Sequence, residues 1–377
     1  MRLAMRLFVA ILVLGLSASA LCKEKVEEKP KVEVVFVLDT TGSMGGLIAG
    51  AKAKIWFIAE QIVTGEPTPE VRMGLVPYRD KGDEYVTKVF DLTDNIDQVY
   101  TDLMDFKADG GGDGPENVNQ ALYDAVHKVT WSDDAKTLKI IYLVGDYPPH
   151  NDYEDVQKYD KTAEEAIKKG IYINTILCGN NDVTQRVWLE IADASEGSFF
   201  AIGQSGDVID IPTPYDGELA KLNSELVDTA LSYGVAEERE AAGTLKASVK
   251  EMGDRPEAAA SRAVFSAKAG KAVGGSKDLV TDADSEEDIS VMLGEIKDEE
   301  LPEEMQKMTQ EEREKYVAEK KVKRDEVTKK IEELSKKRGE FIKEELEKSE
   351  DKKEGFDLKV IEALKKQAEK KGITYED

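Results

Sequence analysis

Between Val34 and Tyr233, short apolar runs alternate with longer helix-like segments, and this alternation restricts the fold more than any other feature. Two of the runs, Leu138-Lys139-Ile140-Ile141-Tyr142-Leu143-Val144 and Ile171-Tyr172-Ile173-Asn174-Thr175-Ile176-Leu177, have the β-branched and aromatic make-up of buried parallel strands. Strands are expected at 33–38, 71–76, 85–90, 138–144, 171–177 and 198–202, and helices at 44–63, 95–106, 116–129, 160–169, 183–194 and 216–233. Such an order demands right-handed crossovers. It therefore predicts an α/β fold with a doubly wound, mostly parallel sheet. A domain over 33–234 is long enough to bury one substantial core.

Beyond Tyr233 the composition shifts. Residues 235–300 are rich in Ala, Gly, Ser and acids, which predicts a mixed linker and helical region. Residues 301–377 predict a charged helical tail. Val327, Ile331, Leu334 and Phe341 follow heptad-like steps, but Lys320, Arg324 and Arg338 interrupt the seam. A solvated helical hairpin is therefore expected over a dedicated coiled-coil oligomer.

The N-terminus reads as a signal peptide. Arg2 and Arg6 precede the apolar stretch Leu7–Leu16, and Ala18-Ser19-Ala20 fits the small-residue cleavage rule. Cleavage near Ala20 (signal peptide 1–20) would leave a secreted or periplasmic protein with no integral membrane segment. The formal charge is -25, or -27 after loss of the two leader arginines. Over most of its surface such a chain repels nucleic acid, which excludes a nucleic-acid partner. Two cysteines and two histidines exclude a disulfide scaffold and a zinc centre of the usual type.

The candidate chemistry sits where expected strands end. Val34-Val35-Phe36-Val37-Leu38 runs into Asp39-Thr40-Thr41-Gly42-Ser43, which offers one carboxylate and two hydroxyls at spacings of two. Asp146 follows the apolar run ending at Val144 in the same way. Both acids thus leave C-terminal strand ends, the edge at which open α/β sheets bind ligands. Between them lies Ala108-Asp109-Gly110-Gly111-Gly112-Asp113-Gly114-Pro115-Glu116. Its glycines permit positive φ and close approach, and Asp113 can point into the same cleft. Pro115 and Glu116 suit the first turn of the next helix. Hard divalent cations, Mg²⁺ with Mn²⁺ or Ca²⁺ as alternatives, take oxygen ligands of this kind. Asp80, Asp109 and Glu116 read as loop or helix-start acids, and His150 as a loop histidine beside the site.

Asp39-Thr40-Thr41-Gly42-Ser43 resembles the Asp-x-Ser/Thr-x-Ser signature of von Willebrand factor type A domains. Asp146 matches the later strand-end acid of their metal-ion-dependent adhesion site. The surrounding Val71–Asp80 and Gly111–Glu116 look like the bacterial secreted, hemicentin-like subgroup, and the resemblance covers about 33–205. It implies that Thr41 and Ser43 ligate a cation through their hydroxyls, with Asp39 and Asp146 binding directly or through water. A carboxylate from a protein ligand would complete the shell. Where the family has threonine this chain has Asp113, a third carboxylate that favours the cation and disfavours an acidic ligand. The implied function is an exported, non-enzymatic, cation-dependent binding module. Two other classes are open. Asp-Thr-Thr-Gly-Ser also resembles the phosphorylation loop of haloacid-dehalogenase-like enzymes, with Asp39 as nucleophile in Mg²⁺-dependent phosphoryl transfer. Thr41 and His150, however, stand where that family wants acids. The third class is a structural envelope protein acting through its charged tail.

Overall fold

Asp39 and Asp146 end up side by side because β1 and β4, distant in sequence, are paired neighbours in one sheet. The computed structural model describes residues 29–112, 114–202, 211–283, 285–348 and 356–375. The six strands are β1 (Lys31–Asp39), β2 (Glu70–Tyr78), β3 (Phe90–Thr93), β4 (Leu138–Gly145), β5 (Ile171–Cys178) and β6 (Phe199–Ile202). They lie in the order β3-β2-β1-β4-β5-β6. All neighbours are parallel except the short edge strand β3, which is antiparallel to β2. The third strand falls a few residues after the expected 85–90.

Buried parallel strands show apolar residues on both faces, and the side-chain period of two sorts them into two cores. Val34, Phe36 and Leu38 of β1 and Ile140, Tyr142 and Val144 of β4 face one cluster. Val35, Val37, Ile141 and Leu143 face the other. Over this second face pack α3 (Val118–His127), α4 (Tyr159–Lys168) and α5 (Asp182–Ala194). The first face is covered by α1 (Ile48–Val63), α2 (Ile96–Asp105) and α6 (Asp216–Val227). The helix expected from 116 starts at Val118, with Asn117 as its cap and Glu116 outside it. The last helix of the expected set ends at Val227 instead of 233.

The residues after Tyr233 pack more closely than their composition suggests. They form α7 (Ala236–Glu251), α8 (Pro256–Ala269), the single turn α9 (Leu279–Asp282), α10 (Glu286–Glu295), α11 (Gln310–Lys348) and α12 (Phe356–Glu369). In the expected linker, Ala259, Ala260, Ala263, Val264 and Phe265 of α8 are buried in the main core cluster. The three alanines let α8 lie close against α1 and α6.

The charged tail is likewise not a solvated hairpin. Val327 and Ile331 of α11 are fully buried. The arginines that interrupt its seam are clamps: Arg324 pairs with Asp278 at 2.7 Å, and Arg338 pairs with Glu60 of α1 at 2.9 Å and Asp216 of α6 at 2.7 Å. Val360 and Leu364 of α12 enter the main cluster, and Gln367 exchanges two amide hydrogen bonds with Asn174 in mid-β5. Among the described residues no helix is long and apolar enough to cross a membrane. The expected signal peptide lies outside the described residues. Cys178 is buried as a free thiol.

Candidate metal centre

The sheet order reverses at β1 and β4, so the crevice between their C-terminal ends is the topological switch point of the fold. Leu38 pairs with Val144 there, which puts Asp39 and Asp146 on adjacent strand ends. Asp39 is fully buried. Its Oδ1 accepts hydrogen bonds from the Thr41 backbone N–H at 2.9 Å and from Thr41 Oγ1 at 2.7 Å. Thr41 Oγ1 lies 3.1 Å from Ser43 Oγ, and Ser43 Oγ donates to Asp146 Oδ1 at 3.0 Å. Four of the residues singled out in the sequence therefore form one connected set of oxygens. Asp113 lies outside the described residues.

Each member is held from behind. Thr184 of α5 donates its hydroxyl to the Asp146 carbonyl at 3.1 Å. Tyr78, fully buried at the end of β2, directs its hydroxyl to the Val144 carbonyl at 3.4 Å. Gly145 is the residue that makes room for this. A Cβ there would collide with the Tyr78 hydroxyl and sit 3.2 Å from Asp39 Oδ2.

The glycine-rich loop closes over the first loop. Gly42 N–H donates to the Gly110 carbonyl and Asp109 N–H to the Thr40 carbonyl, both at 3.0 Å. Gly110 and Gly111 have φ of 77° and 72°, a conformation that side chains other than glycine rarely adopt. Asp83 fixes the turn by accepting from Gly111 N–H, at 2.9 Å to Oδ2.

One residue of the site eluded sequence reasoning. Glu116, read there as a helix-start acid, is 1% exposed, packs beside Gly111, and has its Oε2 unpartnered. Its position at the end of the glycine loop was visible in the sequence; its burial was not. Asp80 also turns inward, accepting from Tyr153 at 2.8 Å with His150 Nε2 at 3.5 Å. The His150 ring stacks on Tyr153 at 4.2 Å. Asp109 stays at the surface and bonds the neighbouring Gly110 N–H.

Burying acids together disfavours their charged forms. Burial first, and Asp146 second, push the Asp39 carboxyl up to about 7, against the pull of its Thr41 hydrogen bonds. Burial also raises Asp146, which Ser43 partly offsets. Glu116 is pushed up to about 9 by burial and by the charges of Asp39 and Asp80. Asp39 Oδ2 has no hydrogen-bond partner. An orphaned, fully buried carboxylate oxygen beside two hydroxyls and a second carboxylate fits a cation. Among the described residues no three Asp, Glu, His or Cys side chains gather as a metal-binding group. The set is two carboxylates and two hydroxyls, an all-oxygen composition suited to hard ions.

Residues 33–205 match the model of a family described as the von Willebrand factor A domain. The matched segment, a little under half of the chain, is similar to that family's domain, and a helical C-terminal region follows it. Human von Willebrand factor A domain-containing protein 7 is 41% identical over 93 residues, 25% of this chain and 10% of that protein. The chain spans about a tenth of the length of such curated relatives. Among solved structures, the SpRpn10 VWA domain is similar with a TM-score of 0.37 and 15% identity, over 47% of this chain and 89% of that chain. Proximal thread matrix protein 1 from the mussel byssus, in a structure titled as having a zinc occupied MIDAS motif, gives 0.38 and 16%. That match covers 48% of this chain and 43% of the other.

Proposed function

We propose that this chain is an exported, divalent-cation-dependent protein-binding module whose cation sits at the C-terminal edge of the sheet. One observation carries the reading: Asp39 Oδ2, buried and unpartnered, lies in the crevice where the Asp39–Thr41–Ser43–Asp146 chain of oxygens closes. Thr41 and Ser43 would present hydroxyl lone pairs to the ion once their present protons turn away. Asp39 and Asp146 would supply charge, directly or through water, and Asp113 a third carboxylate. The bound cation would act as a Lewis acid toward an oxygen of the partner, in the simplest case a carboxylate. The tightly bonded backbone around the site supports this role, because preorganised loops lose little entropy on binding.

Calorimetric titration of metal-stripped protein with Mg²⁺, Mn²⁺ and Ca²⁺ tests the proposal. At least one ion should give a saturable heat in the wild type. Asp39→Ala and Ser43→Ala should abolish it while circular dichroism stays unchanged. Absence of any heat at millimolar cation removes the basis of the proposal.

A further inference from the structure

The opposite edge of the sheet, where the parallel strands begin, has a different electrostatic character. A cleft of about 380 Å³ opens there between the start of β1, the loop before β4 and the end of α12. Five lysines line it: Lys29 and Lys31 at β1, Lys136 before β4, and Lys370 and Lys371 after α12. The chain as a whole carries 77 acidic against 52 basic residues. The cleft lining contains a single acid, Asp134, and that carboxylate already accepts from the Lys136 backbone N–H at 2.9 Å.

Two rim ammonium groups are held in position, Lys371 by the Ala135 carbonyl at 2.6 Å and Lys370 by Glu196 at 3.3 Å. The second indication is independent of charge. Thr137 lines the same cleft, is 1% exposed, and its hydroxyl has no hydrogen-bond partner. A buried hydroxyl without a partner is uncommon in a settled structure. It can donate to an oxyanion seated among the lysines. Clefts lined by one sign of charge concentrate counter-ions even on a molecule of opposite net charge.

We propose that this cleft is a binding site for a small phosphate-bearing solute, with Thr137 donating from within and Lys29, Lys136 and Lys371 neutralising its charge. Lysine suits phosphate as a point charge in several geometries. The site lies across the sheet from Asp39 and Asp146 and needs no metal.

The test uses the full chain, stripped of metal and dialysed free of chelator, in a phosphate-free buffer. Pyrophosphate is titrated calorimetrically. Saturable binding below about 10 mM is expected, weakening as salt is raised. The exposed substitution Lys136→Glu should reduce affinity about tenfold and Thr137→Val about fivefold, since each removes one contact to the anion. Asp39→Ala should leave pyrophosphate affinity unchanged, which separates this site from the metal centre. Absence of saturation, or wild-type affinity in Lys136→Glu, overturns the proposal.

Discussion

At the scale of the residue, the site is a set of acids brought closer than water would leave them. Asp39 ionises in the ordinary range near 3.8 in the unfolded chain and near 7 in the folded one. Between those values the folded state holds the extra proton, so stability falls as pH rises through the window. Glu116, raised from 4.5 to about 9, extends the decline to higher pH. Metal-stripped protein is therefore expected to show a fall in denaturation midpoint from pH 5 to pH 8, measured by urea titration. Asp39→Asn and Glu116→Gln should each flatten it, and a wild-type slope retained in both variants contradicts the assignment. Asp39, Thr41, Ser43 and Asp146 were legible in the sequence because each follows an apolar run by a fixed, short distance. Glu116 and Asp80 were not. Their inward orientation comes from the packing of the 78–85 and 108–112 segments against Thr40 and Gly42, and no local pattern encodes that packing.

At the scale of the element, strands and helices of the sheet region follow their sequence periodicity closely, because a strand buried on both faces must be apolar throughout. The tail does not follow its own. Lys and Glu dominate α11, and the arginines in its seam looked like breaks. Burial shows them as the groups that fix α11 against α1, α6 and α9. A charged residue in a heptad position reads the same whether solvated or paired, and its partners here, Glu60, Asp216 and Asp278, are remote in sequence. Removing one member of such a group strands buried charge. Arg338→Ala leaves Glu60 and Asp216 facing each other and should cost about 3–5 kcal/mol, readable as a lowered urea midpoint. Replacing all three residues by apolar ones should recover much of the loss. A single-variant loss below about 1 kcal/mol would mean that the arginine is solvated in solution.

At the scale of the whole molecule, the C-terminal region completes the first face of the sheet. Asn174 and Phe200 meet α12 through Gln367 and Phe356, and Thr374 pairs with Glu66 at the end of α1 through two backbone hydrogen bonds. Deleting 301–377 uncovers part of the main cluster. The truncated chain is expected to bind an apolar dye and to lose near-ultraviolet circular dichroism; a rigid, dye-silent fragment would show that α11 and α12 are dispensable. With the core closed from both sides, the two edges of the sheet carry different groups: the oxygens of Asp39, Thr41, Ser43 and Asp146 at the C-terminal end, lysines at the N-terminal end. The central claim concerns the first. Crystals grown with Mn²⁺ and measured for anomalous scattering should show one strong peak within bonding distance of Ser43 Oγ and Thr41 Oγ1, beside Asp39 and Asp146. A map without that peak, or with manganese bound only elsewhere, contradicts it.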